Sequence, residues 1–184
     1  MNAIFYNDDT LSFYEKESLW EESVLFLNAL LSRQPDNKSI LCRFAAQCWY
    51  VLTVWDYNMP TENLNKSVFE DGLKKAYGLT TDRWWTDSDC LWLFGYFMYI
   101  NQMAFSFVDV GINDIENEGV NLISRSYYIN PHNQLAEVLF LGIKGDSRKY
   151  SKAKKALNKC IHLYFPQQSA VEHYFTEVFT WNEC

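Results

Sequence analysis

Glycine and proline are scarce in this chain: seven Gly and four Pro in 184 residues, too few for the turn-rich connections of a β-sandwich. The cysteines, Cys42, Cys48, Cys90, Cys160 and Cys184, are five in number with no Cys-x-x-Cys pair. That argues against a disulfide framework and a zinc site, and for reduced thiols in a cytosol. Of the three histidines, His132, His162 and His173, none has another at i+3 or i+4, so no metal-binding pair exists. There is no Gly-x-x-x-x-Gly-Lys phosphate loop, no Gly-x-Gly-x-x-Gly and no Gly-x-Ser-x-Gly nucleophile elbow. The first ten residues hold Asp8 and Asp9 but no Lys or Arg, which lacks the charged start of a signal peptide and leads to the expectation of a cytoplasmic protein. The longest apolar stretch, Leu91 to Val108, contains Asn101, Gln102 and Ser106. It reads as the central helix of a globular domain, with no membrane partner expected.

Basic residues are also short. Sixteen Lys plus Arg face 23 Asp plus Glu, a net charge of −7. Residues 1–143 carry −10 and residues 144–184 carry +3. Such a surface repels nucleic acid and anionic lipid and attracts basic partners over a Debye length. Charged residues at 21% and the hydrophobic set at 48% exclude disorder. One domain over 1–184 is expected at this length.

What the chain has in excess is aromatic side chains, 17% of the total, laid out with helical periodicity. Leu19, Trp20, Ser23, Val24, Phe26, Leu27, Leu30 and Leu31 recur at three and four. Pro35-Asp36 is expected to stop that helix and cap the next, over Ile40 to Trp55. Met59-Pro60-Thr61 reads as a break, and a short helix from Leu64 is expected to end at Gly78. Thr86 or Asp87 is expected to cap a helix over 88–107, and Asn113 or Asp114 to open another that ends before Asn130-Pro131. Helices over 132–143, 148–164 and 168–182 complete the reading. Only Ala3 to Tyr6 offers a possible strand. The fold class predicted is all-α, with seven or eight helices in antiparallel hairpins.

Internal spacing points to a repeat. Pro131 and Pro166 lie 35 residues apart, and Gln34-Pro35-Asp36-Asn37 echoes Asn130-Pro131-His132-Asn133 at a distance of 96. Val138, Leu141 and Gly142, and less closely Leu91, Phe94 and Gly95, place a Gly where one helix packs tightly on another. Over residues 113–182 the chain resembles the tetratricopeptide repeat. The resemblance implies an irregular bundle of helical hairpins and a concave face for a peptide, toward which Asn101, Gln102, Asn121 and Arg125 are the candidates.

Candidate binding residues come from charge and exposure. Glu15, Glu17, Glu21 and Glu22 cluster at the start, with Glu17 and Glu21 expected one turn apart on a single helix. Trp84 and Trp85 sit in a polar connector among Asp82, Asp87 and Asp89, as a hot spot for a basic partner would. Asp109, Asp114, Glu116 and Glu118 form a third acidic segment. The seventh helix carries a basic stripe, Arg148, Lys152, Lys155 and Lys159. It lacks interleaved aromatics and is a weak nucleic-acid signal. Trp20, Trp49, Trp55, Trp92 and Trp181 fall at core positions. Catalytic, cofactor and metal sites are not expected. In size, charge and missing chemistry the chain is similar to bacterial toxin-immunity proteins, which implies a basic partner domain such as a toxin nuclease. A tetratricopeptide-like scaffold or chaperone adaptor for a peptide segment is the alternative, and an enzyme built on a carboxylate pair is a third.

Overall fold

The computed structural model describes residues 3–54, 64–109, 111–166 and 169–180. Among them there are ten α-helices and one 3-10 turn, and no strand. The helices are α1 (Asp9–Lys16), α2 (Trp20–Arg33), α3 (Lys38–Val54), α4 (Lys66–Arg83), α5 (Ser88–Ile100), α6 (Ile112–Ile129), α7 (Gln134–Lys144), α8 (Ser147–Leu157), α9 (Ile161–Tyr164) and α10 (Ala170–Thr180). The 3-10 turn, Gln102–Phe105, lies between α5 and α6. No helix among the described residues is long and apolar enough to cross a membrane.

The count exceeds seven or eight for two local reasons. Asp8 caps an extra helix, accepting from the Leu11 amide at 2.9 Å, and Ser18 at φ 58 then turns the chain into α2. The single helix expected over 148–164 breaks after Leu157, where the Lys159 and Cys160 amides bond back to Ala156 and Leu157. These tight i→i+3 bonds redirect the chain so that Ile161 and Tyr164 reach the core. Elsewhere the boundaries also moved. Asn37, not Asp36, opens α3, with its carbonyl accepting from Leu41. Gly78 does not end α4, which runs on to Arg83. Gly111, not Asn113 or Asp114, precedes α6. The 88–107 helix stops at Ile100 because the Asn101 side chain accepts from the Ala104 amide and starts the 3-10 turn. Ala3 to Tyr6 is no strand; Ile4 and Phe5 are core residues. Met59-Pro60-Thr61, Trp55, Trp181 and Cys184 lie outside the described residues.

One turn occurs three times. Asn37, Asp87 and Asn133 each donate their amide to the carbonyl three residues back, and each accepts at its own carbonyl from the amide four residues on. The helices leading into these turns start at Trp20, Lys66 and Ile112, 46 residues apart each time. The 96-residue echo spans two intervals between these turns, of 50 and 46 residues, with Asp87 between them.

Packing between neighbours is uneven. Helices α5 and α6 approach most closely, with Gly95 and Gly119 facing each other. Gly72 lets α4 lie close on Cys48 and Phe44 of α3. Tyr77 of α4 instead makes ring contacts, meeting Phe94 of α5 and Phe105 and Phe107 of the segment after it edge-on at 5.8–6.1 Å. The main core is aromatic and centred on Phe175 of α10, which touches Phe5, Trp49, Trp92, Tyr96, Phe97, Phe165 and Tyr174.

Candidate functional site

A cleft lies on the surface between α4 and the start of α6. On one side α4 continues past Gly78, so Tyr77 and Thr81 stand one turn apart on the same face. Trp84 then closes the helix, its amide donating to the Thr80 carbonyl at 2.9 Å, and Trp85 lies in the turn before the Asp87 cap. On the other side the chain folds through the 3-10 turn to Val108 and enters α6, where Asp114 and Glu118 share one face. Tyr77, Thr81, Trp85, Val108, Asp114 and Glu118 line a cavity of about 490 Å³. The Arg125 guanidinium, two turns beyond Glu118, sits 5.3 Å from the Trp85 ring. Burial, and then the Glu118 carboxylate, raise the pKa of the Tyr77 phenol.

Trp85 of the 82–89 connector thus meets Asp114 and Glu118 of the 109–118 segment at this cleft, whereas Asp82, Asp87 and Asp89 are not in its lining. Asp82, Asp109 and Glu116 belong to these two segments and are exposed. An acid pair beside an indole and a phenol attracts a cationic side chain through both charge and ring face. Trp85, the connector residue singled out for a hot spot, is half-buried and forms one wall; Trp84 is half-buried as well.

The remaining candidates are elsewhere. Glu15 is not on the surface: it is buried, and one carboxylate oxygen accepts from Arg43, itself fully buried, while the other accepts from the Ala170 amide at 2.6 Å. Arg43 also donates to Ser169 Oγ at 2.7 Å, so this pair ties α1 and α10 to α3. Burial lowers the Arg43 pKa to about 10, against the opposing pull of Glu172 and Asp8. Glu17 and Glu21 do not share a helix, because α1 ends before Glu17 and Glu21 is in α2. The Glu21 carboxylate accepts from the Asn65 amide at the start of α4. Twelve residues of rise place that point about 18 Å along the helix from Tyr77. Glu22 is exposed on the same end of α2. Asp87 and Asp89 are engaged with Lys38 at 3.1 and 2.8 Å. Burial works against the Lys38 charge, but its bonds to Asp89 and Asp87 outweigh that and raise its pKa.

Nothing in the basic stripe joins this site. Arg148, Lys152, Lys155 and Lys159 are exposed on or just beyond α8, whereas Lys154 is buried against Tyr150. Cys42 and Cys90 are buried with their sulfurs 3.9 Å apart, and both are free. Among the described residues no three His, Cys, Asp or Glu side chains come together as a metal site. The sequence reading missed Tyr77, Thr81 and Val108. The i, i+4 spacing of the first two was visible but fell on a helix expected to end at Gly78. No protein-family model matches the chain, and no curated protein or solved structure does so either.

Proposed function

We propose that this protein is a non-enzymatic binding module that occludes a basic partner domain, in the manner of an immunity protein covering a toxin such as a nuclease. The observation that supports this reading is the cleft in which Trp85 and Tyr77 stand beside Asp114 and Glu118. The exposed acids steer a cationic surface into contact, and Trp85 and Tyr77 supply rigid contact area that slows release. The free cysteines suit a reducing, cytoplasmic setting. No cofactor, nucleic acid or membrane enters the scheme.

Co-expression and pull-down with the product of the gene immediately upstream test the reading. Capture is expected, together with protection from that product's activity. Changing Asp114, Glu116 and Glu118 to Lys is expected to slow association at low salt and to have less effect at high salt. Intact capture after that reversal, with damage from Lys152 and Lys155 substitutions instead, would place the interface on α8 and refute the assignment.

A further inference from the structure

Two buried thiols take no part in the cleft. Cys42 is in the second turn of α3 and Cys90 in the first turn of α5, and both are free. Their sulfurs stand 3.9 Å apart although 48 residues separate them in the chain. A disulfide holds its sulfurs about 2 Å apart, so each would shift by about 1 Å, a displacement that rotation about the Cα–Cβ bonds provides. The other described cysteines are placed differently. Cys48 lies beside Gly72 at the α3–α4 contact, and the Cys160 thiol donates to the Gln134 side chain at 3.0 Å. Among the described residues only Cys42 and Cys90 meet sulfur to sulfur.

The pair is shut in as well as close. The hydrogen bond with Cys42, and then burial, raise the Cys90 pKa and hold it as a thiol. Only a thiolate exchanges with a disulfide, so the closed fold protects both sulfurs. The way in is the start of α5, because Cys90 lies in its first turn, and helix ends open before helix middles. That turn is pinned to the start of α3 by Lys38, which reaches Asp87 at 3.1 Å and Asp89 at 2.8 Å. Asn133 also donates to Asp89, at 2.8 Å. The contacts that join the starts of α3 and α5 thus also control access to the two thiols.

We propose that Cys42 and Cys90 form a redox latch: a low-molecular-weight disulfide, admitted when the start of α5 opens, converts them to a disulfide that locks α5 onto α3. In the open state one cysteine loses its proton, and its thiolate attacks the reagent's S–S bond, giving a mixed disulfide and one reagent thiolate. The second cysteine's thiolate attacks the protein sulfur of that mixed disulfide and expels the other reagent thiolate. Two electrons pass from the protein sulfurs to the reagent, and the two protons end on its thiols. The new bond spans 48 residues of chain and stabilises the fold by restricting the unfolded state. In a reducing cytosol the pair stays as thiols. The latch is independent of the binding reading above.

The test treats the full chain with oxidised glutathione, without urea and in urea well below the unfolding midpoint. Remaining thiols are alkylated and the tryptic peptides mapped by mass spectrometry without reduction. Trypsin leaves Cys42 in peptide 39–43, Cys48 in 44–66 and Cys90 in 84–125. The expected product joins 39–43 to 84–125, two hydrogens lighter than their sum, and forms about threefold faster or more in the dilute urea. Lys38→Gln should speed it without urea, whereas Arg83→Gln, which breaks a more exposed pair with Asp36, should not. The oxidised chain should unfold at a urea concentration about 1–2 M higher than the reduced chain, a shift absent from Cys42→Ala and Cys90→Ala. Free thiols at both positions after oxidation in dilute urea, glutathione left on either cysteine, or a link from Cys90 to Cys48 overturns the proposal. A link that leaves the midpoint unchanged or lower shows that it is no latch. Equal rates in the Lys38 and Arg83 variants overturn the assigned way in.

Discussion

Replacing Gly95 by Ala is expected to destabilise the protein, while the same change at Gly78 is expected to stabilise it. Both glycines lie inside helices, so both substitutions gain helix propensity, about 1 kcal/mol per site. What differs is the space. A Cβ on Gly95 would lie 2.8 Å from the Gly119 carbonyl oxygen, 2.8 Å from Ile123 Cγ1 and 2.9 Å from the Ile123 amide nitrogen. Ordinary contact begins near 3.4 Å, so α5 and α6 must separate by about 0.6 Å, and two of the three atoms met are backbone that cannot rotate aside. Overpacking of this kind costs about 1–3 kcal/mol, and opening the closest interface of the fold loosens dispersion contacts along both helices as well. Set against the propensity gain, this leaves a net loss of up to about 2 kcal/mol. Around Gly78 nothing lies within 4 Å of the added carbon, so there the propensity gain survives at about 0.5–1 kcal/mol. Urea unfolding followed by circular dichroism gives both midpoints. A Gly95→Ala midpoint that rises with that of Gly78→Ala would show that the α5–α6 crossing is not held by its glycines. The consequence reaches the cleft, since α6 carries Asp114 and Glu118.

Other outcomes follow from the same packing. Phe175→Ala removes the hub of the aromatic core, a residue with 0% exposure, and is expected to cost about 3–5 kcal/mol in the same unfolding assay; a loss under about 1 kcal/mol would mean the core collapses around the gap. Burial holds the Cys48 thiol and the phenols of Tyr50, Tyr96 and Tyr174 above their ordinary values of 9.0 and 10.0. Such groups keep their protons longer when folded, so stability is complete below those values and is lost as pH rises through them. Lys38, raised from 10.5, adds to the same loss from that pH upward. Helix loss and the tyrosinate absorbance of the buried phenols should therefore rise together above pH 9–10; tyrosinate absorbance that reaches its full amplitude while the helices stay intact would refute it. Trp85→Ala is expected to speed dissociation of a captured partner while leaving association little changed, as read by surface binding kinetics.

The all-helical class was legible because apolar residues recur at three and four through most of the chain, a signal that survives errors at helix ends. The ends themselves were not. Pro35-Asp36 marked the first turn correctly in place but not in chemistry, since Asn37 and not Asp36 supplies the opening carbonyl. Gly78 looked like a stop, yet a glycine ends a helix only when the backbone there takes a left-handed turn, as Gly145 does at φ 68. The repeat was visible as a 96-residue echo, but its middle member, Asp87, has Trp85 two residues before it where Asn37 and Asn133 have Pro35 and Pro131, and it carries a different cap side chain. Trp85, Asp114 and Glu118 were chosen one segment at a time. That they share a cleft depends on how α4 and α6 lie across from each other, and no spacing in the sequence encodes that.

Net charge overstates how many acids are available to a partner. Asp8 and Asp87 spend carboxylate oxygens on helix amides, Glu15 is consumed by Arg43, and Asp36 is paired with Arg83 at 3.2 Å. Glu21 is bonded to the start of α4, and Asp87 with Asp89 hold Lys38. A charge already met by a fixed donor contributes little to the field beyond it, because the pair presents a dipole that fades faster with distance than a lone charge. By contrast, Asp82, Asp109, Asp114, Glu116 and Glu118 have no ion pair among the described residues. Four of these five lie within ten residues of one another, around the entry to α6. These four acids set the charge at the mouth of the cleft, while Asp9, Glu17, Glu22 and Asp71, also exposed and without an ion pair among the described residues, carry acidic charge elsewhere. Acids that hold helix ends and buried arginines cannot be traded for lysine without unfolding something, whereas those at the α6 entry can. Steering and folding are carried by different carboxylates, which is why charge reversal at 114–118 separates the two.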